Sequence, residues 1–558
     1  MEAAARAERV LAIRDLVVET GGRRPARILD RVSLEVGHAE TVCLVGESGS
    51  GKSVTSLAVM GLLPRGALLA RGGEIRLGDE NVLAASPARL RELRATRMSM
   101  IFQEPMTALN PVLTVGSQVN EVLQAHSGLS ESEGRELVIE MLEKVHLPDV
   151  ERIYGSYPHQ LSGGQRQRIM IAMALVLEPQ LLIADEPTTA LDVTTQRQIL
   201  ALIRELQDRQ GTSVLFITHD MGVVADIADR VYVMREGQIV ETGPIRQILT
   251  SPRKEYTQNL LKAVPALHPR PARPLSSQET VLETVALEKI YGQSSFWRRK
   301  EETRAAADVS LSLKRGRTLG IVGESGSGKS TVARCVMRLI DPTSGSIRVQ
   351  GTDISSLSRR ALKPHRKHIQ IVFQDPNRSL NPRVTVGESI IEGPVNYDVP
   401  RQEALARARE LLELVGLPAD SIRRHPHEFS GGQRQRIAIA RALAMDPAVL
   451  VADEAVSALD VSVQAQVLAL LDEVQTRLGV ALLFITHDLR VAAQICDDIA
   501  VMHKGRVVEY GPAAEVLAHP REAYTRDLLE AAPGRHWDFP NFRPLPGHEE
   551  TDVGARRQ

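Results

Sequence analysis

Three cysteines are all that 558 residues contain: Cys43, Cys335 and Cys496. They lie far apart and share no ligand-like spacing, which argues against a disulfide framework and a zinc centre and fits a reducing compartment. No apolar run approaches the roughly 18–20 residues that cross a bilayer. Residues 1–9 lack the apolar core of a secretion signal, so any membrane part of the work is expected to fall to another chain. Net charge is also lacking. Lys and Arg number 68 against 69 Asp and Glu, a formal charge of −1, and nothing calls for bulk attraction to nucleic acid or an anionic membrane. The basic run Trp-Arg-Arg-Lys at 297–300 reads as a solvated loop. What is present is a 43% apolar share, enough for sizeable cores, and a length that predicts several domains.

The most informative stretch is Gly-Glu-Ser-Gly-Ser-Gly-Lys-Ser at 46–53, repeated letter for letter at 323–330. It fits G-x-x-x-x-G-K-[ST], the phosphate-binding P-loop. Gly46, Gly49 and Gly51, and likewise Gly323, Gly326 and Gly328, let the backbone approach a phosphate closely. The intervening Glu47, Ser48 and Ser50, with Glu324, Ser325 and Ser327, complete an N–H nest for an anion. A helix starting near Lys52 or Lys329 adds its positive end. Lys52 and Lys329 are expected to reach the β- and γ-phosphates, and the Ser53 and Ser330 hydroxyls to ligate Mg²⁺. An ordinary Gly/Ser turn is the alternative, and the strand–loop–helix context, found twice, argues against it.

The landmarks after each P-loop also recur in the same order. The offset is 277 residues at the P-loops and 268 at the Asp-Glu pairs and the later histidines. That period has the size of a domain rather than of a solenoid repeat. Alternating strand-like residues open each half, at 10–18 and 32–36, then at 281–290 and 309–313. Apolar runs at 41–45, 181–186, 214–219 and their counterparts suit buried parallel strands. Residues 402–415 carry helical spacing. Residues 266–278, proline-broken and aperiodic, read as a linker. After about Pro533 the tail is rich in proline and charge; Trp537, Phe539 and Phe542 leave both docking and disorder open.

Asp185-Glu186 and Asp453-Glu454 end buried strands, where side chains emerge at the ligand edge of a parallel sheet. Asp185 and Asp453 are placed to hold Mg²⁺, and Glu186 and Glu454 to orient and polarise an attacking water. A helix-capping acid pair is the structural alternative. His219 and His487 close the next strand and suit sensors of the γ-phosphate; a single such histidine would more often be structural. Gln103 and Gln374 follow strands and are placed to reach Mg²⁺ and the water. Ser162-Gly163-Gly164-Gln165 and Ser430-Gly431-Gly432-Gln433 each open a helix and form a second anion-facing turn. With a P-loop already on one side, that turn needs another face of the nucleotide, or another nucleotide.

Together these motifs resemble the ATP-binding subunits of ABC transporters, over nearly all of both halves. The resemblance implies an α/β fold: two tandem ABC-type P-loop NTPase domains, each with a mainly parallel core sheet, an antiparallel β subdomain and an α-helical subdomain. The expected division is 1–265, linker 266–278, 279–534 and tail 535–558. It further implies head-to-tail packing. Lys52, Ser53, Asp185, Glu186 and His219 would then work with Ser430–Gln433, and Lys329, Ser330, Asp453, Glu454 and His487 with Ser162–Gln165. Asp192 and Asp460, in Ala-Leu-Asp, match the family's interface-crossing loop. Gln-Glu-Pro-Met-Thr-Ala-Leu-Asn-Pro at 103–111, Gln-Asp-Pro-Asn-Arg-Ser-Leu-Asn-Pro at 374–382, and the Ser-Pro-Arg-Lys-Glu-Tyr-Thr and His-Pro-Arg-Glu-Ala-Tyr-Thr runs at 251–257 and 519–525 resemble the dipeptide/oligopeptide importers. The implied cofactors are ATP and Mg²⁺. The implied partners are two membrane permeases and, through them, a periplasmic or extracellular solute-binding protein, with the chain at the cytoplasmic face of the membrane. Relatives with an iron–sulfur centre carry a cysteine cluster near a domain's C-terminal end, and none stands here, so no cluster is expected.

Two departures touch the first P-loop. Tyr291 fits the family's adenine-stacking aromatic, whereas the matching place in the first half is Thr20. Val54 stands where the second half has Thr331. Base stacking is worth about 1–3 kcal/mol, so the first site is expected to hold ATP more weakly while both sites hydrolyse it. Two other readings are a soluble twin-ABC protein of translation or DNA repair and a regulatory ATPase that never turns over. The short linker, the absence of paired cysteines and the near-zero charge argue against the first; Glu186 and Glu454 argue against the second.

Overall fold

Thr41–Val45 is buried along its whole length, as a continuous apolar run requires of a strand covered on both faces. In the computed structural model, which describes residues 9–103, 108–188, 191–271, 273, 277–292, 302–457 and 459–546, this strand lies inside a six-stranded sheet. The order is Gln238–Pro244, Arg230–Arg235, Thr41–Val45, Ser213–Thr218, Leu181–Asp185, Met98–Ile101. All neighbours pair in parallel except Gln238–Pro244, which closes one edge as an antiparallel hairpin. The carboxyl ends of the parallel strands therefore share one edge, where ligands of open α/β sheets bind.

A second, antiparallel sheet orders Arg27–Gly37, Arg9–Thr20, Leu68–Leu77 and Glu80–Asn81. Its inward residues, among them Leu11, Ile13, Leu16, Leu34 and Ile75, share one buried cluster with Leu44, Ile183 and Ile217 of the parallel sheet. Helices Val115–Ser127, Glu131–Lys144 and Gly163–Leu175 form a separate helical layer. The second half repeats all three parts. Its parallel core runs Ile369–Val372, Val449–Asp453, Ala481–Thr486, Thr318–Val322, Asp498–His503, Arg506–Pro512. Its antiparallel sheet starts from Thr280–Tyr291, and the helical spacing read at 402–415 appears as helix Arg401–Leu414.

The chain divides into two units: Met1–Leu191, Thr195–Val264 and His536–Gln558 form one, and Asp192–Thr194 with Pro265–Arg535 the other. The linker is less free than its prolines suggest. Arg270 pairs with Asp472 at 2.9 Å and Asp497 at 2.7 Å, and Arg273 binds Asp472 and Gln475, so these two residues are tied to the second unit. In the tail, Trp537–Asp538 pairs with Arg543–Pro544, Phe539 is 2% exposed, and Lys262 sits 5.7 Å over the Phe542 ring. Phe539–Asn541 thus packs on helix Glu255–Lys262 of the first unit. The readings placed on residues 1–8, 104–107, 297–300 and 547–558, and on the alanines of the two Ala-Leu-Asp runs, fall outside the described residues.

Candidate nucleotide sites

Each P-loop turns through three glycines at positive φ: +154°, +77° and +107° at Gly46, Gly49 and Gly51, and +149°, +80° and +105° at their counterparts. A Cβ on Gly46 would meet the Met234 carbonyl at 2.2 Å, and one on Gly323 the Met502 carbonyl at 2.3 Å. Both the conformation and the close approach demand glycine there. The loop runs straight into helix Lys52–Val59 or Lys329–Val336, so its N–H groups and the helix start face one point. Lys52 Nζ donates to the carbonyls of Gly46 and Glu47, both at 2.8 Å; Lys329 makes the same pair of bonds at 2.7 Å. Burial lowers the Lys329 pKa against the pull of the surrounding carboxylates, Glu454 foremost. The Ser50 and Ser327 hydroxyls are buried without a hydrogen-bond partner among the described residues, as groups kept for a ligand would be.

Ser53 donates to Asp185 and Ser330 to Asp453, each at 3.2 Å. Burial raises both carboxyl groups above their ordinary value, and the serine hydroxyls pull them back. Among the described residues no cluster of three or more His, Cys, Asp or Glu side chains would hold a metal. A hydroxyl beside one carboxylate fits a Mg²⁺ that arrives with phosphate oxygens and keeps waters. The units differ here. Ser56 Oγ lies 2.9 Å from the Ser53 carbonyl and 3.2 Å from the second oxygen of Asp185. Ala333 occupies that place in the second unit, where Arg334 supplies the compensating charge for Asp453 instead.

Glu186 and Glu454 sit one residue beyond their strands at φ of +48° and +50°, held by their own N–H groups donating to Ile217 and Ile485. A non-glycine residue at such φ costs about 1–3 kcal/mol and clusters at functional sites. The turn presents the carboxylate to two neighbours at once. Gln103 Nε2 donates to Glu186 at 2.9 Å, and His219 Nδ1 lies 3.1 Å from its other oxygen. Gln374 donates to Glu454 at 3.0 Å, with His487 at 3.7 Å. The His487 imidazole, 3.7 Å away, holds Glu454 below its ordinary pKa, burial opposing. For His487 burial works against the charged ring, yet Glu454 keeps its pKa raised. The sequence-predicted glutamine, glutamate and histidine therefore meet in each unit.

The Ser-Gly-Gly-Gln turns open helices Gly163–Leu175 and Gly431–Leu443 through reciprocal caps: each serine accepts the glutamine N–H and each glutamine side chain accepts the serine N–H. The two glycines differ in use. Among the described residues nothing lies within 4 Å of a Cβ on Gly163 or Gly431, whereas one on Gly164 would meet Thr195 at 2.8 Å and one on Gly432 would meet Val463 at 2.3 Å. The first glycine leaves an open approach; the second lets the next helix pack. Of the two positions expected to meet adenine, Tyr291 is 42% exposed with Lys289 5.2 Å over its ring. Thr20 closes a turn on Ala26 through both its N–H and its hydroxyl.

Two residues escaped sequence reasoning. Tyr256 and Tyr524 each accept a hydrogen bond from a P-loop amide, Glu47 N–H and Glu324 N–H respectively, at 3.2 Å. The signal available was the repeated Tyr-Thr motif at the end of each half.

Known proteins resemble this chain over most of its length. The family profile described as "ABC transporter" matches residues 29–189 and 306–457, and that of the "Oligopeptide/dipeptide transporter, C-terminal region" matches 240–288 and 508–553. The glutathione import ATP-binding protein GsiA of Salmonella paratyphi A is 49% identical over 534 residues, covering 90% of this chain and 86% of the relative. That of Pectobacterium atrosepticum is 46% identical over 560 residues, 94% of this chain and 90% of the relative. Among solved structures, cbiO1 of Clostridium perfringens, part of the ABC transporter complex cbiONQ, is 30% identical over 45% of this chain and 94% of its own, with a TM-score of 0.39. The chain belongs to the ABC transporter family, as a fused pair of ATP-binding domains that bind and hydrolyse ATP and carry the C-terminal regions of the oligopeptide/dipeptide transporters.

Proposed function

We propose that this chain is the energy-coupling ATPase of an importer for glutathione, di- or oligopeptides, with two ATP sites formed head to tail between its halves. The observation that carries the reading is the twice-repeated carboxylate of Glu186 and Glu454, held at positive φ between a glutamine and a histidine. In this reading Lys52 and Lys329 leave their loop carbonyls for the β- and γ-phosphates. Ser53 with Asp185, and Ser330 with Asp453, hold Mg²⁺, which when bound offsets phosphate charge. Glu186 and Glu454 orient the attacking water and accept its proton, while the histidines and Gln103 and Gln374 fix the carboxylates. Ser430–Gln433 and Ser162–Gln165 supply the opposing anion-binding turns, and Asp192 and Asp460 the loops that cross between halves.

No helix among the described residues is long and apolar enough to cross a membrane, and as a transporter's ATP-binding subunit the chain acts with membrane permeases. Phe102, next to Gln103 in the chain, is exposed, as are Val112 and Leu113 further along. Exposed apolar side chains of this kind suit a permease contact at the cytoplasmic face. The solute assignment rests on the GsiA relatives. The test is ATPase turnover of the chain reconstituted with its permeases and solute-binding protein, with glutathione or peptides added. Solute-stimulated turnover is expected to fall in both Glu186→Gln and Glu454→Gln and to drop by about a hundredfold or more in the double variant, the scale of a lost general base. An unchanged rate in either single variant would rule out turnover at both sites.

A further inference from the structure

Each half ends in an extension that reaches back to its own P-loop, built the same way twice. In the first unit, Glu241 on the sheet's last strand is 8% exposed and accepts the N–H groups of Arg253 and Lys254 at 2.7 and 3.1 Å. That fixes the start of helix Glu255–Lys262. Tyr256, in its first turn, lies under the Arg235 guanidinium, 5.1 Å from the ring centre, and its hydroxyl accepts the Glu47 N–H. In the second unit, Glu509 accepts the N–H groups of Arg521 and Glu522 at 2.8 and 3.3 Å. It thereby fixes helix Ala523–Ala531. Tyr524 stacks on His503, ring centres 4.0 Å apart, and accepts the Glu324 N–H. Arg235 and His503 end equivalent strands. Burial pushes the Tyr524 phenol up to about 12, so it stays a neutral hydroxyl at any working pH.

The bonded amide is the one just after the first P-loop glycine. Gly46 and Gly323 have conformational freedom that must be restricted if the loop is to stand ready for phosphate. The tyrosine supplies a fixed acceptor there, carried by an element that is itself tied to the core sheet. We propose that Tyr256 and Tyr524 are positioning residues that hold the P-loops in their nucleotide-ready shape, making the C-terminal extension of each half a determinant of its nucleotide affinity.

The proposal rests on the P-loops being the ATP sites. Its test is ATP binding and steady-state turnover of the full chain carrying Tyr256→Phe, Tyr524→Phe or both, with a fluorescent ATP analogue as binding probe. Loss of one hydrogen bond predicts a rise of about three- to tenfold in the nucleotide Kd and KM of the double variant, with kcat and the nucleotide-free thermal midpoint little changed. Glu241→Gln with Glu509→Gln, which loosens the helix start but keeps the phenols, is expected to shift Kd in the same direction by less. This second pair carries the test where the phenylalanine variants fold poorly. Unchanged Kd in both pairs would overturn the proposal, as would a fall in kcat and thermal midpoint with no change in Kd. Lys52→Ala with Lys329→Ala serves as control: retained binding there would refute the sites themselves, whereas lost binding beside unaltered tyrosine variants would refute only the tyrosine role.

Discussion

Glu454 and His487 show how one residue pair sets a pH response. Glu454 is held below its ordinary 4.5 and His487 above its ordinary 6.5. A lowered carboxylate contributes stability above its unfolded value that is lost as pH falls through its folded one. A raised imidazole contributes stability below its unfolded value that is lost as pH rises through its folded one. Both contributions are present together between 4.5 and 6.5. The thermal midpoint of the wild type should therefore exceed that of His487→Gln most in this window, and the gap should close as the pH climbs past 6.5. A gap that stays constant to about pH 9, well beyond the imidazole range, would contradict the pairing. At this scale the sequence was legible in identity but not in conformation. The order strand–Asp–Glu set Glu186 and Glu454 at the ends of buried strands, yet no letter announced that a non-glycine residue would take positive φ there. Their turns are imposed by bonds to Ile217 and Ile485 on neighbouring strands, partners that no local pattern encodes.

Among the elements, the helix at Gly431–Leu443 opens on two adjacent glycines with different surroundings, the first open and the second packed on Val463. Gly431→Ala has room and replaces a poor helix former, so it should leave the thermal midpoint intact while its methyl obstructs the approach of a phosphate and lowers turnover. Gly432→Ala drives a Cβ to 2.3 Å from Val463, whose branched side chain has little rotamer freedom, and should cost about 1–3 kcal/mol of stability. Equal stability of the two variants in thermal melts would refute this division. Elements with local signals were readable: apolar runs gave Thr41–Val45 and Leu181–Asp185, and helical spacing gave Arg401–Leu414. Elements whose position depends on distant partners were not. Tyr256 meets a residue 209 positions away, Arg270 and Arg273 are held by a helix some 200 positions on, and Phe539–Asn541 docks on helix Glu255–Lys262 from late in the chain.

For the whole molecule, the two units carry the same site parts with unequal detail. The first has Ser56 at its Asp185 and Thr20 at the position expected to meet the base; the second has Ala333, Thr331 and an exposed Tyr291. The two P-loops and Asp-Glu pairs are thus alike while the residues around them differ. We propose that each half completes the other's nucleotide site. It is tested most directly by counting the ATP molecules occluded per chain, in a Glu186→Gln, Glu454→Gln background, for two double substitutions. Lys52→Ala with Ser430→Phe damages the two sides of one proposed site and should leave one nucleotide per chain. Lys52→Ala with Ser162→Phe damages one side of each site and should leave none. Equal counts for the two pairs, or the reverse order, would contradict the account.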